Sequence, residues 1–210
     1  MAEISRINTI SDVHPESVPQ GNAIIMVGSF APIHRGHFDA IHAASTALLG
    51  RGVPVDSLVL TPNSAEYVQR KLPDYHHEWT YERRIQKILE HNPHPHIPTY
   101  VDDISGRTAR HEEINPHVPR TIERYLGHSA CQIYLVVGSD QILSMEQHLR
   151  DDANRAICVL RPNNLADIKE RLEIPWVANA VKSERFIITE REDMDNDISS
   201  TAIRKTTAAR

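Results

Sequence analysis

The sequence is poor in the features that mark secreted, membrane-spanning and nucleic-acid-binding proteins. Its 210 residues include two cysteines, Cys131 and Cys158, which are too few and too far apart to predict a disulfide framework. No apolar run approaches the roughly 20 residues that are needed to cross a bilayer. The net charge of −5 comes without a basic block, which argues against binding to nucleic acid or to an anionic membrane. We therefore expect a cytoplasmic protein with neither kind of partner.

What is present is the composition of an ordinary globular domain. Hydrophobic residues make up 40% of the chain and charged residues 24%, far from the range in which chains stay disordered. The first 20 residues carry Asp12, Glu16 and two prolines where a secretory signal would need an apolar segment. We expect residues 1–21 to be a polar N-terminal extension and residues 22–210 to form a single domain. The sequence leaves open whether the protein is a homo-oligomer.

Short apolar, β-branched runs alternate along the chain with segments of helical periodicity. Strands are predicted at residues 23–30, 53–60, 99–101, 132–137, 155–160 and 185–189. Helices are predicted at residues 36–50, 80–91, 118–126, 141–149 and 164–172, with a last one opening near Ser199. Residues 102–117 are polar and aperiodic, which predicts a long loop of the kind that often holds function. This alternation predicts an α/β fold: a doubly wound, Rossmann-like parallel sheet with helices on both faces.

Segment 28–37 (GSFAPIHRGH) lies between the first predicted strand and the first predicted helix, where open α/β sheets bind ligands. Gly28 lets a phosphate approach the backbone, Pro32 stiffens the turn, and the free N–H groups of a helix start favour anions. His34 and His37 are three residues apart, so we expect both imidazoles to donate to one phosphate chain. In a chain with 13 histidines, the pair taken alone is equally compatible with two surface residues.

A second candidate phosphate site is segment 198–204 (ISSTAIR), near the end of the chain. Ser199 and Ser200 are hydroxyls at the expected opening of a helix, and Arg204 follows one turn later. Arginine is a bidentate partner for phosphate oxygens, so the cluster suits the outer phosphates of a nucleotide. By itself the segment is more simply an ordinary helix cap followed by a solvated arginine.

These two segments, with segment 138–140 (GSD) after another predicted strand, occur in the order found in one enzyme superfamily. The chain resembles the nucleotidyltransferases with an H-x-G-H signature, here His34 to His37, and among them the nicotinamide or nicotinate mononucleotide adenylyltransferases most closely. The resemblance spans residues 24–204. Between the motifs it depends on topology more than on identity. It implies transfer of AMP from ATP to a phosphorylated small-molecule acceptor.

The resemblance also implies roles for individual residues. The implied catalytic groups, which stabilise charge on the phosphate oxygens, are His34, His37 and Arg204. The implied ATP-binding set adds residues from all three segments, with Asp140 at the ribose and the serines at the outer phosphates: Gly28, Ser29, Phe30, Gly138, Asp140, Ser199 and Ser200. The implied cofactor is Mg²⁺, bound by the phosphates with no protein ligand, in keeping with the lack of an evident carboxylate cage.

The acceptor region departs from the family pattern. Relatives that use pyridine nucleotides commonly stack the ring on tryptophans, yet segment 138–148 has none. Of the two indoles, Trp79 is expected to pack near a helix start, and Trp176 is ambiguous. Arg70 and Lys71 are expected in a loop after Pro62-Asn63, near the place where a family lysine reaches the acceptor phosphate, although exposed basic pairs in loops are usually only solvated. The acceptor-binding candidates are therefore Arg70, Lys71 and Trp79.

This departure leaves two alternatives. One is a related nucleotidyltransferase that acts on phosphopantetheine or an alcohol phosphate. The other is a nucleotide-binding relative that has lost turnover. The remaining histidines fit no zinc-binding pattern, so we expect them to be structural or surface residues: His76, His77, His91, His94, His96, His111, His117 and His128. Asp102 and Asp103 are expected at the surface.

Overall fold

One parallel sheet organises the protein. The computed structural model describes residues 7–14, 21–74, 76–91, 96–108, 132–150, 153–160 and 165–190. Its strands are β1 (Asn8–Thr9), β2 (Ala23–Gly28), β3 (Ser57–Pro62), β4 (Thr99–Val101), β5 (Ile133–Gly138), β6 (Arg155–Leu160) and β7 (Phe186–Glu190). They form a sheet in the order β1-β4-β3-β2-β5-β6-β7, and every neighbouring pair is parallel.

Helices follow most of the strands. The α-helices are α1 (Arg35–Leu49), α2 (Ala65–Lys71), α3 (Tyr81–Leu89), α4 (Ser105–Thr108), α5 (Glu146–Leu149), α6 (Leu165–Leu172) and α7 (Pro175–Lys182). Two 3₁₀ helices, Ile10–Asp12 and Ser139–Met145, complete the described elements. None of the helices in the described ranges is long and apolar enough to cross a membrane.

The helices cover both faces of the sheet, as predicted for a doubly wound fold. Alternate strand residues point to opposite faces, so Ile24 packs with the face covered by α1 and α3, whereas Ile25 packs with the other. The second face is covered by the 3₁₀ helix Ser139–Met145 together with α5, α6 and α7. From β2 the chain builds the sheet outward through β3 and β4, and it then returns to β5 and builds the other half. The direction of winding therefore reverses between β2 and β5.

Several elements differ from the sequence prediction. The strand predicted at 53–60 begins only at Ser57, because residues 53–56 form the irregular approach to it after Pro54. The loop expected to carry Arg70 and Lys71 is helix α2. The long loop predicted at 102–117 contains α4 at its start, and its residues 109–117 lie outside the described ranges. The helix predicted at 141–149 is largely 3₁₀, with only its last four residues in an α-helix.

The described part of the predicted N-terminal extension contacts the sheet. Asn8 and Thr9 pair in parallel with Tyr100 and Val101 at the edge of β4. Ile10 is 1% exposed and belongs to the core of the second face. Asp103, after β4, also holds this segment, because its carboxylate accepts hydrogen bonds from the backbone N–H and the hydroxyl of Ser11. Residues 7–12 thus add an edge strand and a core residue to the domain, and the boundary at residue 21 stays a prediction.

Candidate nucleotide site

The candidate site lies at the carboxyl ends of β2 and β5. Both strands end in glycine followed by serine, at Gly28-Ser29 and Gly138-Ser139. Met26 pairs with Val136, so each strand ends two residues after the last paired position. Because the winding reverses between these two strands, their loops diverge and leave a crevice in front of the sheet. The structure therefore brings two of the three predicted motifs to one edge of the sheet.

The turn after β2 is tightly built. A Cβ on Gly28 would lie 3.0 Å from Cε1 and Cζ of Phe30, so the glycine makes room for the aromatic ring. Phe30 is fully buried and has a φ of 46°, in the left-handed region that side chains rarely adopt. The Gly28 carbonyl accepts a 2.8 Å hydrogen bond from the N–H of Asn63, which ties the turn to the end of β3. The Ala31–Pro32 peptide bond is cis.

His34 and His37 lie together at the start of α1. His34 is the N-cap residue, and its Nδ1 accepts a 3.1 Å hydrogen bond from the N–H of Gly36. Nδ1 of His37 accepts a 3.2 Å hydrogen bond from the N–H of His34. The two ring centroids are 3.9 Å apart, and the His37 ring also contacts the edge of Phe30, with centroids 5.0 Å apart. One of the N–H groups at the start of α1, that of Gly36, is thus engaged by the His34 imidazole.

This pattern defines the chemistry of both imidazoles. An Nδ1 that accepts a backbone N–H carries no proton, so the proton of each neutral ring is on Nε2. Each ring therefore offers Nε2 as a donor, and its orientation is fixed from behind by the backbone. Two adjacent donors on the half-buried rings of His34 and His37 match the oxygens of a phosphate chain.

A buried arginine that the sequence analysis missed supports the same turn. Arg84 of α3 has no exposed surface, and its Nη1 donates a 3.0 Å hydrogen bond to the carbonyl of Ser29. Nε donates to the carbonyl of Trp79 at 3.2 Å, and Cζ lies 5.2 Å from the ring centroid of Tyr81. Burial lowers the pKa of Arg84 to about 10, so the guanidinium stays charged at neutral pH. Within the described ranges, Nη2 of Arg84 and Oγ of Ser29 have no hydrogen-bond partner.

The turn after β5 has a similar construction. Arg171 of α6 donates a 2.6 Å hydrogen bond from Nη1 to the carbonyl of Ser139. Asp140 is exposed, and its Oδ1 lies close enough to the backbone that a Cβ on Gly138 would come within 2.6 Å of it. Burial raises the pKa of Cys158 to about 12, with a smaller contribution from the charge of Asp140 and an opposing one from Arg171. A carboxylate at this exposed edge suits the hydroxyls of a ribose.

The acceptor-binding candidates are brought near the β2 turn in part. A small apolar cluster joins Ala31 of the turn to Val68 and Leu72, with Tyr67 and Trp79 packed against it. Trp79 is half-buried there, in agreement with its predicted packing role. Arg70 and Lys71 are exposed in the last turn of α2.

Cation–π contacts occur on both sides of this cluster. Nζ of Lys71 is 5.4 Å from the ring centroid of Tyr67, and Cζ of Arg83 is 5.4 Å from that of Trp79. Within the described ranges, Nε1 of Trp79 is buried without a hydrogen-bond partner. The cluster thus places aromatic rings and cations beside the turn after β2.

Asp102, expected at the surface, is instead a fully buried residue after β4. Its carboxylate accepts hydrogen bonds from the N–H groups of Ser105 and Ile104, at 2.9 and 3.1 Å, and from the Thr61 hydroxyl at 3.2 Å. Burial raises its pKa, and these hydrogen bonds oppose the rise. The carboxylate therefore satisfies polar groups at the ends of β3 and β4 from within the fold. The expectation that Asp102 lies at the surface was wrong.

Several predicted residues lie outside the part of the chain that the structure describes. Ser199, Ser200 and Arg204 are outside the described residues, so their roles stay predictions. The same holds for the expectations on His94, His111, His117 and His128. In the described ranges, no group of three or more His, Cys, Asp or Glu side chains is placed to hold a metal ion.

A glycine turn and a helix start, placed where a doubly wound parallel sheet reverses, define a nucleotide-binding α/β protein. The family model described as cytidylyltransferase-like matches residues 25–206, and this chain belongs to that family. No curated protein matches the chain. The family establishes the general activity: a nucleotidyltransferase that uses a nucleoside triphosphate and an acceptor.

Proposed function

We propose that this protein transfers AMP from ATP to nicotinamide or nicotinate mononucleotide, which gives NAD or deamido-NAD and pyrophosphate. The observation that supports it most is the convergence of segments 28–37 and 138–140 at the reversal point of the sheet. These are two of the three segments on which the resemblance to the pyridine mononucleotide adenylyltransferases rests. The third, residues 198–204, supports the proposal through its sequence.

The reaction needs no protein nucleophile. A mononucleotide phosphate has a second pKa of about 6, so near neutral pH it is already an anion able to attack. One of its oxygens bonds to the α-phosphorus of ATP, while the bond from that phosphorus to the bridging oxygen of the β-phosphate breaks and pyrophosphate leaves. The enzyme contributes positioning and positive charge. In this proposal Nε2 of His34 and Nε2 of His37 donate to the phosphate oxygens, and Arg204 stabilises the charge on the outer phosphates.

The residues at this edge fit a Mg²⁺ ion that arrives on the phosphates. The turn after β2 carries two imidazoles whose Nε2 donors suit phosphate oxygens, and the described ranges hold no group of three or more carboxylate, imidazole or thiol side chains placed to bind the ion directly. When bound, Mg²⁺ would neutralise charge on the triphosphate. The chain's own part is to orient that triphosphate through His34, His37 and the backbone of the turn.

A second acceptor class is favoured by one observation. Residues 139–149, after the β5 turn, form a 3₁₀ helix and a short α-helix without an aromatic residue, so this side offers no platform for a pyridine ring. The aromatic rings near the site are those of Tyr67 and Trp79, on the opposite side of the β2 turn. A phosphopantetheine or an alcohol phosphate, which needs no stacking partner, is therefore the alternative acceptor.

The direct test is product analysis. The full chain is incubated with Mg²⁺ and either ATP or CTP, and with each of four acceptors: nicotinamide mononucleotide, nicotinate mononucleotide, phosphopantetheine and glycerol phosphate. Chromatography identifies the products, and pyrophosphate release gives the rate. We expect a dinucleotide from ATP and a pyridine mononucleotide. Turnover confined to phosphopantetheine or glycerol phosphate would establish the alternative, and nucleotide binding without any turnover would identify an inactive relative.

A further inference from the structure

The two turns at the nucleotide site share a feature that neither sequence motif contains. In each, the serine that follows the terminal glycine of the strand points its backbone carbonyl at an arginine from a later helix. Arg84 holds the carbonyl of Ser29 at 3.0 Å from a position 55 residues away, and Arg171 holds that of Ser139 at 2.6 Å from 32 residues away. Both contacts come from helices that pack against the sheet, on its two different faces.

The orientation of a carbonyl determines that of the next N–H group. In a trans peptide unit the C=O and the following N–H lie in one plane and point in opposite directions. The contact from Arg84 to the Ser29 carbonyl therefore turns the N–H of Phe30 away from α3. In the same way, the contact from Arg171 turns the N–H of Asp140 away from α6. Each N–H group is thus held on the side of its turn opposite to the arginine.

The Ser29–Phe30 peptide needs such a restraint more than an ordinary turn does. Phe30 holds a left-handed φ of 46°, a conformation that non-glycine residues rarely adopt because Cβ crowds the backbone. Burial of the Phe30 ring restrains the side chain, and the Arg84 contact restrains the peptide plane before it. Arg84 is itself held by the Trp79 carbonyl and the Tyr81 ring, so its guanidinium has little freedom to follow a displaced turn.

We propose that Arg84 and Arg171 are positioning residues that fix the peptide planes 29–30 and 139–140, so that the N–H groups of Phe30 and Asp140 face the bound nucleotide. The proposal rests on the proposed function only in that a nucleoside triphosphate binds at this edge. It assigns no direct contact between either guanidinium and the substrate. It applies whichever acceptor the enzyme uses.

Nucleotide affinity is the first test. The variants Arg84→Met and Arg171→Met remove each contact and keep an unbranched side chain, while Arg84→Lys and Arg171→Lys restore one donor. Matched controls are Arg83→Met on α3 and Lys169→Met on α6, both exposed neighbours on the same helices. Calorimetric titration with ATP and with CTP, each with Mg²⁺, should show binding weakened about tenfold or more in each methionine variant, because a misoriented N–H group loses its hydrogen bond to a charged phosphate oxygen, which is worth that much. The lysine variants should recover part of the affinity, and the controls should bind as the wild type does.

A stability control separates positioning from general damage. Ile85→Ala removes a buried side chain of α3 and leaves the Ser29 carbonyl in contact with Arg84. It should lower Tm as much as Arg84→Met does, or more, with unchanged nucleotide affinity. Equal losses of affinity in Ile85→Ala and Arg84→Met would overturn the proposal. So would wild-type affinity in both methionine variants, or a wild-type protein that binds neither ATP nor CTP.

Hydrogen exchange supplies a readout without nucleotide. In the free protein, peptides that cover residues 28–34 should exchange faster in Arg84→Met than in Arg83→Met, and peptides that cover 138–142 faster in Arg171→Met than in Lys169→Met. Unchanged exchange in both pairs would contradict the proposal. Failure of the proposed function is seen elsewhere, in the product assay: wild-type protein that binds ATP and makes no dinucleotide refutes the acceptor and leaves the positioning role standing.

Discussion

Two buried polar groups at the same edge of the sheet are built in opposite ways. The Asp102 carboxylate, after β4, accepts hydrogen bonds from Thr61, Ile104 and Ser105. The Arg84 guanidinium, behind the turn after β2, is as deeply buried, yet its Nη2 has no partner in the described ranges. Among the described residues the Ser29 hydroxyl also has no hydrogen-bond partner, and Phe30 has a left-handed backbone conformation.

This difference distinguishes a polar cluster that stabilises the fold from a candidate binding site. Buried polar groups are normally satisfied, because an unpaired one costs about 1–3 kcal/mol. The β4 end obeys that rule and needs nothing from outside. The β2 end departs from it at the position where a nucleotide would lie, and strain of this kind persists when the surrounding structure enforces it. Substitutions at the β2 end should therefore change activity with little change in stability, and substitutions at the β4 end should do the reverse.

The largest expected effect is on turnover, at the β2 end. His37→Ala removes one Nε2 donor and should lower the rate on the order of 10²- to 10³-fold, as loss of a single oxyanion donor does. Pyrophosphate release measures the rate, and thermal unfolding should show little change. His42→Ala, at an exposed position on the same helix, is the control and should keep wild-type turnover. Equal rates for the two variants would place the chemistry away from these imidazoles.

The next effect is on stability, at the β4 end. Asp102→Ala leaves the N–H groups of Ile104 and Ser105 and the Thr61 hydroxyl without their acceptor, which should lower the free energy of unfolding by about 3 kcal/mol. Urea unfolding measures it. Asp103→Ala, next in the chain, loses only exposed hydrogen bonds to Ser11 and should cost much less. If Asp103→Ala were the more damaging of the two, the β4 end would not be the closed cluster that its geometry indicates.

A smaller loss is expected from crowding the same cluster. A Cβ on Gly106 would meet the ring of Tyr81 and lie 2.5 Å from the carbonyl oxygen of Pro62, a backbone atom that cannot move aside easily. Gly106→Ala should therefore lower the free energy of unfolding by about 1–3 kcal/mol. Gly50→Ala, whose added Cβ would lie 3.4 Å from the Thr46 carbonyl oxygen, should be nearly neutral. A Tm for Gly106→Ala equal to that of Gly50→Ala would contradict the packing around Tyr81.

The smallest expected effect is a change in the free energy of unfolding with pH. Because the pKa of Asp102 is raised in the folded state, that state binds the proton more tightly than the unfolded chain does. The free energy of unfolding should therefore fall as the pH rises from the ordinary aspartate range through the raised pKa. Asp102→Asn has no such proton, so its stability relative to the wild type should improve over that window and level off above it. Parallel pH profiles for the two proteins would show that Asp102 titrates normally.

The sequence predicted the parts of the fold that depend on local pattern. Buried parallel strands are continuous apolar runs, so β4 and β6 were predicted with their observed bounds, and β5 to within one residue. Helix α2 was missed because seven mostly polar residues bury only Val68 and show no clear period. Helix α7 was missed although Pro175 at its first position was a usable signal.

The predictions for the site divide in the same way, into residues that a local motif indicates and residues that it does not. Both turns were predicted from their motifs, since glycine, proline and histidine at a strand end carry local meaning. Arg84 was not, because it stands in an Arg-Arg pair on a polar helix, and its burial follows from a contact with the carbonyl of Ser29, 55 residues away. Asp102 was misplaced for a similar reason: its burial depends on Thr61 from a neighbouring strand. The sequence pattern carries no information about such tertiary contacts between distant segments.

The central claim is that the nucleotide binds where the sheet reverses, between the turns after β2 and β5. Backbone amide NMR of the full chain, recorded during titration with ATP and Mg²⁺, tests it most directly. We predict the largest chemical-shift changes at residues 28–37 and 138–140. Changes concentrated at the opposite edge of the sheet would contradict it. That edge lies around Asn22, Asp56 and Gln132, just before β2, β3 and β5 begin.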